Sequence, residues 1–120
     1  MNNRFKFRVY DPTLKKLILF SLDNIIVSDN LLCQDKYPVQ QYTGLTDSNE
    51  KEIYEGDILK ISYGAMGDVI GQVLYEADHG GYIFQWERKG PNQNYINLNC
   101  DVAFESVIIG NVNENSELLN

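Results

Sequence analysis

Hydrophobic and polar residues alternate from the start of the chain. Phe5, Phe7 and Val9 project to one side of an extended segment, and Arg4, Lys6, Arg8 and Tyr10 to the other, the period of two that marks a strand. Asp11-Pro12-Thr13 reads as a turn, since Pro presets φ and an Asp side chain accepts from nearby amides. Apolar runs at 17–22 and 25–27 predict two more strands with a turn at Asp23-Asn24 between them. These segments predict an antiparallel β meander at the N-terminus. Residues 28–38 carry little pattern and predict a loop with a buried Leu31-Leu32 pair. Residues 39–42 predict a short strand, and 45–52 a polar, turn-rich connection.

Glycine punctuates the second half of the chain. Gly56-Asp57 precedes an alternating strand to residue 61, and a loop through Gly64, Gly67 and Asp68 leads into a strand over 69–76. Gly80-Gly81 turns the chain into 82–87, and Pro91 marks another loop. Residues 95–98, 102–104 and 107–112 read as strands, and only 114–119 as a helical turn. No window of ten or more residues shows a 3.6-residue period. Short strands separated by glycine turns predict a mainly β fold, with a small barrel following the meander and little helix. The expected organisation is a single domain over 1–120. Within it, a meander sub-lobe (1–45) meets a barrel sub-lobe (46–113) at a seam near 43–52, and 114–120 form a closing turn; 45 residues alone bury too little surface to stand apart.

Charge narrows the functional classes. Ten Lys and Arg against seventeen Asp and Glu leave a net charge of −7, which disfavours nucleic acid as a partner because that affinity comes from neutralising phosphates. Residues 1–16 are the exception, with Arg4, Lys6, Arg8, Lys15 and Lys16 against Asp11 alone. Alternation spaces Arg4, Lys6 and Arg8 about 6.6 Å apart along one strand face. That face could meet phosphates or an acidic protein patch, and otherwise serves as a solvated face that keeps an edge strand from aggregating.

The residues that chemistry would need do not assemble. His79 is the only histidine, while zinc sites need three or four protein ligands and a nucleophilic cysteine needs a base. Cys33 and Cys100 show no ligand spacing and are expected as free thiols, pairing only if the fold brings their α-carbons within about 7 Å. Gly64-Ala65-Met66-Gly67 lacks the Lys-Ser/Thr pair of a phosphate loop. Glu50, Glu52, Glu55 and Asp57 cluster on what reads as a polar loop, where water keeps carboxylates ordinary. The apolar runs at 17–20 and 107–109 are too short to cross a bilayer, and the N-terminus carries no secretory pattern. The sequence asks for no cofactor, metal or membrane.

Three blocks of residues carry a family resemblance. They are Lys6-Phe7-Arg8-Val9-Tyr10-Asp11; then Tyr42-Thr43-Gly44-Leu45 followed by Ile53-Tyr54-Glu55-Gly56-Asp57-Ile58; then Val107-Ile108-Ile109-Gly110-Asn111-Val112 with Glu114-Asn115-Ser116-Glu117-Leu118-Leu119. In this order they resemble the YopX-like phage proteins, with Tyr10 where Trp is usual and Ser116 at the usual Pro. The resemblance implies phage or prophage origin, work in the cytoplasm of a bacterial host, a mainly β fold with an SH3-like barrel, and no assigned reaction. On physical grounds Gly44 and Gly56 suit positive φ at strand ends, and Asp57 suits capture of amides in the preceding turn. Tyr42 and Tyr54 suit rings that bury while their hydroxyls reach water or a partner.

The functional expectation is therefore a non-enzymatic interaction module that binds a protein partner or a second copy of itself. Its expected contact residues are Arg4, Lys6, Arg8, Tyr42, Tyr54, Tyr75 and Trp86. The alternative is weak nucleic-acid binding through the basic N-terminal strand. Tyr63, Tyr75, Tyr82, Phe84 and Trp86 are expected in core or subunit contacts more than in base stacking.

Overall fold

Alternation in the first segment does build an antiparallel pair. In the computed structural model, which describes residues 5–21, 39–62, 67–86 and 94–119, β1 (Lys6–Asp11) runs against β2 (Lys16–Ser21) from Lys6 opposite Ser21 to Asp11 opposite Lys16. Asp11 makes the turn between them, its Oδ1 accepting from the amides of Thr13 and Leu14 at 2.9 and 3.2 Å. Arg4, the Asp23-Asn24 turn, the 25–27 strand, Leu31-Leu32, Cys33, Tyr63, Gly64 and Pro91 lie outside the described residues.

β3 (Gln40–Thr46) and β4 (Glu52–Tyr54) complete the first sheet in the order β2-β1-β3-β4, with β1 inside it. The strand expected over 39–42 runs on to Thr46. Gly44, at φ 88°, marks a register shift within β3 where a strand end was expected. The hairpin between β3 and β4 turns on Asp47, a buried carboxylate that accepts from the amides of Asn49 and Lys51 through Oδ1 and of Ile108 through Oδ2.

The second sheet holds β5 (Asp57–Ser62), β6 (Asp68–Glu76), β7 (Gly81–Trp86), β8 (Tyr95–Asn97) and β9 (Ser106–Asn111), ordered β8-β7-β6-β5-β9 with every pairing antiparallel. The last strand returns to lie beside the first. The mainly β expectation holds; the finer SH3-like assignment goes beyond these pairings, which leave β8 and β9 as the sheet's edges. Leu59, Ile61, Val73 and Phe84 point from this sheet into one core with Ile53, Leu98 and Ala103. Full burial of each large apolar side chain there is worth about 1.5–3 kcal/mol.

One expected strand is a helix. Residues 102–104 fall in α1 (Cys100–Phe104), because the Asn99 side chain accepts from the Val102 amide at 3.0 Å and caps a first turn. Ala103 packs inward while Phe104 stays exposed, so the apolar triplet Val102-Ala103-Phe104 has no common buried face. The helical turn expected near the C-terminus is a 3-10 turn over Ser116–Leu119. Among the described residues no helix is long and apolar enough to cross a membrane.

The first sheet continues to Tyr54 and the second starts at Asp57, so the change of sheet falls later than the expected 43–52 seam. The two residues between them are the junction. Gly56 donates to the Val73 carbonyl at 2.8 Å and accepts from the Val112 amide at 2.8 Å.

Candidate functional site

The three blocks noted in the sequence meet at that junction. Arg8 of the first block reaches from β1 into the space beside Gly56 and binds Asp57 Oδ1 at 2.8 Å, Gln40 Oε1 at 2.8 Å and the Glu55 carbonyl at 3.1 Å. Asp57 Oδ2 accepts from the Tyr54 amide at 2.8 Å, the strand-entry role expected of it. The third block closes the arrangement, with Asn111 opposite Asp57 across the β5–β9 ladder. Asn111 Oδ1 in turn accepts from the amides of Asn113 and Glu114 at 3.0 Å. Gly56 sits at φ 82°, where a Cβ would come within 2.2 Å of Gln40 Nε2. Backbone conformation and close approach both demand glycine here.

This geometry corrects the basic strand face. The Arg8 side chain is 6% exposed and that of Asp57 3%, so Arg8 is neither solvated nor presented to a partner. Val9 is also buried, and β1 is an inner strand of its sheet, paired along its length with β2 and at Phe7 and Arg8 with β3. Lys6 is half-exposed but bound to Glu52, and that hydrogen bond raises its pKa above the ordinary lysine value. Two of the three expected cations are thus engaged by this chain's own carboxylates. Asp57 is likewise no solvated loop residue. Burial pushes its carboxyl above the ordinary range, and the Arg8 guanidinium pulls in the opposite direction.

Tyrosines line the same region. Tyr42 and Tyr54 face each other across β3 and β4 with ring centroids 5.6 Å apart. Lys6 Nζ lies 5.5 Å from the Tyr42 centroid, and the Arg8 guanidinium carbon 4.9 Å from that of Tyr54. Burial raises the Tyr42 pKa and pushes that of Tyr54 up to about 12. Both rings are buried within the fold.

A hollow of about 390 Å³ opens between residues of the two sheets, with Tyr42 in its lining. Phe5, Gln41, Tyr42 and Thr43 form one wall, and Tyr75, Gly80, Gly81 and Tyr82 the other. Phe5 is 47% and Tyr75 52% exposed. Tyr75 and Tyr82 lie opposite each other in the β6–β7 ladder and meet edge to face at 5.3 Å and 86°. The Tyr82 hydroxyl spans the hollow to Gln41 Oε1 at 3.4 Å.

Of the residues expected to make contacts, Tyr42 and Tyr75 are brought to this hollow. Lys6, Arg8 and Tyr54 belong to the junction, and Trp86 packs half-buried on Phe84 with centroids 5.8 Å apart. Phe5, Gln41 and Tyr82 also line the hollow; Tyr82 is expected in core or subunit contacts, whereas Phe5 and Gln41 are not among the expected contact residues. The Gly80-Gly81 turn holds the signal for Tyr82, since a tight hairpin there pairs residue 75 with 82. His79 sits on the exposed connection with its ring 5.0 Å from that of Tyr95. Among the described residues no three of His, Cys, Asp and Glu are placed to hold a metal ion.

Comparison with known proteins agrees with the three blocks. A family model described as YopX protein matches residues 6–120. The chain is similar in fold to the crystal structure of protein EF1440 from Enterococcus faecalis, with a TM-score of 0.59 and 24% sequence identity over 96% of this chain and 97% of that one. No curated protein matches the sequence.

Proposed function

The chain belongs to the YopX family, and from that premise we propose that it is a non-enzymatic interaction module whose partner docks at the tyrosine-lined hollow between the sheets. The partner is a protein, either another copy of this chain or a different polypeptide. Origin in a phage or prophage and work in a bacterial cytoplasm belong to the same reading, as does the SH3-like character of the five-stranded sheet.

One observation carries the proposal. Phe5 and Tyr75 expose about half their surface at the mouth of a hollow whose other lining includes two further tyrosines. Aromatic side chains of this kind dominate the energy of protein interfaces because they bring large, rigid contact area with a polar tip. The non-enzymatic part is supported by the buried carboxylates. Asp47 is spent on three backbone amides, and Asp57 on Arg8 and the Tyr54 amide, so neither is poised to move a proton.

Light scattering on eluting protein, with affinity capture from host lysate, tests the reading. Association should disappear in Tyr75→Ala while the melting temperature stays within a few degrees, since this side chain is half in solvent. A chain that stays monomeric and captures nothing sensitive to Tyr75→Ala sinks the proposal.

A further inference from the structure

Resting on that docking reading, we infer that the hollow receives a cationic side chain, an arginine in a basic segment of the partner. Three features converge on it. Phe5, Tyr42, Tyr75 and Tyr82 line the walls of the hollow, and the negative face of an aromatic ring attracts a cation. Within the chain Lys6 already lies over the ring of Tyr42, itself a lining residue, and Arg8 over that of Tyr54.

The charges around the hollow favour the same occupant. The connection that closes one wall, Ala77–His79 with its flanks, carries Glu76 and Asp78. Glu76 lies directly opposite Gly81, a lining residue, in the β6–β7 ladder. Lys6, beside Tyr42, is balanced by Glu52. The chain as a whole carries a net charge of −7, which draws basic segments toward it over about a Debye length.

Acceptors complete the set. Gln41 Oε1 and the Tyr82 hydroxyl meet inside the hollow, within reach of a donor entering between the sheets. An arginine fits this combination better than a lysine. Its guanidinium is planar, stacks on aromatic faces, is weakly hydrated and offers five donors to scattered acceptors.

The test titrates the isotope-labelled full chain with three short, flexible peptides that differ at one central residue: arginine, citrulline or lysine. Citrulline keeps the shape and removes the charge. The arginine peptide should shift amide resonances of Phe5, Gln41 and 80–82, bind at least about fivefold more tightly than the citrulline peptide, and weaken as salt rises. Tyr75→Ala should remove the shifts, and Asp78→Asn should weaken binding roughly two- to threefold. Equal binding of the arginine and citrulline peptides overturns the cationic inference and leaves docking at the hollow standing. No shift at these residues with any peptide overturns it as well, and the association assay on Tyr75→Ala then decides whether the docking reading survives alone.

Discussion

Replacing Arg8 with methionine is the sharpest perturbation of the junction. The substitution keeps an apolar stem of similar length and removes the guanidinium. It strips Asp57 of its 2.8 Å ion pair and leaves Gln40 Oε1 and the Glu55 carbonyl without the donor they face. Because both side chains are almost fully removed from water, the loss should fall in the range for breaking a buried pair, about 3–5 kcal/mol. That is a large share of the ~5–15 kcal/mol that holds a domain of this size. Asp57→Asn keeps an acceptor for the Tyr54 amide but no charge for Arg8. The double variant should then cost less than the two singles together, with a coupling of about 1–3 kcal/mol. Urea unfolding followed by Trp86 fluorescence measures all four proteins. The penalty should also depend on pH. A buried carboxyl with a raised pKa binds its proton more tightly folded than unfolded, so its contribution is present in acid and is lost as pH rises through the folded value. Without Arg8 that rise is larger, so Arg8→Met should cost more at neutral than at acidic pH. A loss below about 1 kcal/mol, the range of exposed pairs, or costs that simply add, would refute the reasoning.

Three further outcomes rest on particular contacts. Tyr54 should titrate near its pKa of about 12 in an ultraviolet pH titration. Its neutral form is favoured by the fold, so stability should fall as pH climbs from about 10 toward 12; Tyr54→Phe should remove this late step. Gly56→Ala and Gly80→Ala both place a Cβ at positive φ, a strain of about 1–2 kcal/mol. At Gly80 the Cβ enters open space, whereas at Gly56 it displaces Gln40 from Arg8, so denaturation should show a clearly larger loss for Gly56→Ala. Asn99→Ala should lower stability by about 1 kcal/mol through loss of the α1 cap, read as a drop in melting temperature.

Much of this fold is legible as a line of residues. The β1–β2 turn, β5 to β8 and the closing 3-10 turn follow from period-two alternation and from Gly, Pro and Asp at the turns. Asp57 is legible as a strand-entry acceptor because that contact is local. Arg8 reads as a solvated cation because its partner lies 49 positions away, and alternation says which face a side chain takes, not what covers that face. Asp47 is legible only as part of a turn, through its local contacts to Asn49 and Lys51; its bond to the Ile108 amide of β9 is not. Residues 102–104 look like a strand because three apolar residues of mixed β propensity carry no period, while the deciding contact is the Asn99 cap. The hollow is half legible. Tyr42 and Tyr75 stand out as aromatics, but their meeting, and the addition of Phe5 and Gln41, needs the packing of one sheet on the other.

Native-state hydrogen exchange reads directly whether the junction of the three blocks holds the two sheets as one cooperative unit. The amides of Tyr54, Gly56 and Val112, bonded to Asp57, Val73 and Gly56, should fall in the slowest class and exchange only by global unfolding, and Arg8→Met should speed all three together. If they exchange by local opening while the β6–β7 ladder stays protected, the junction is not what joins the sheets and the account of the shared blocks is wrong.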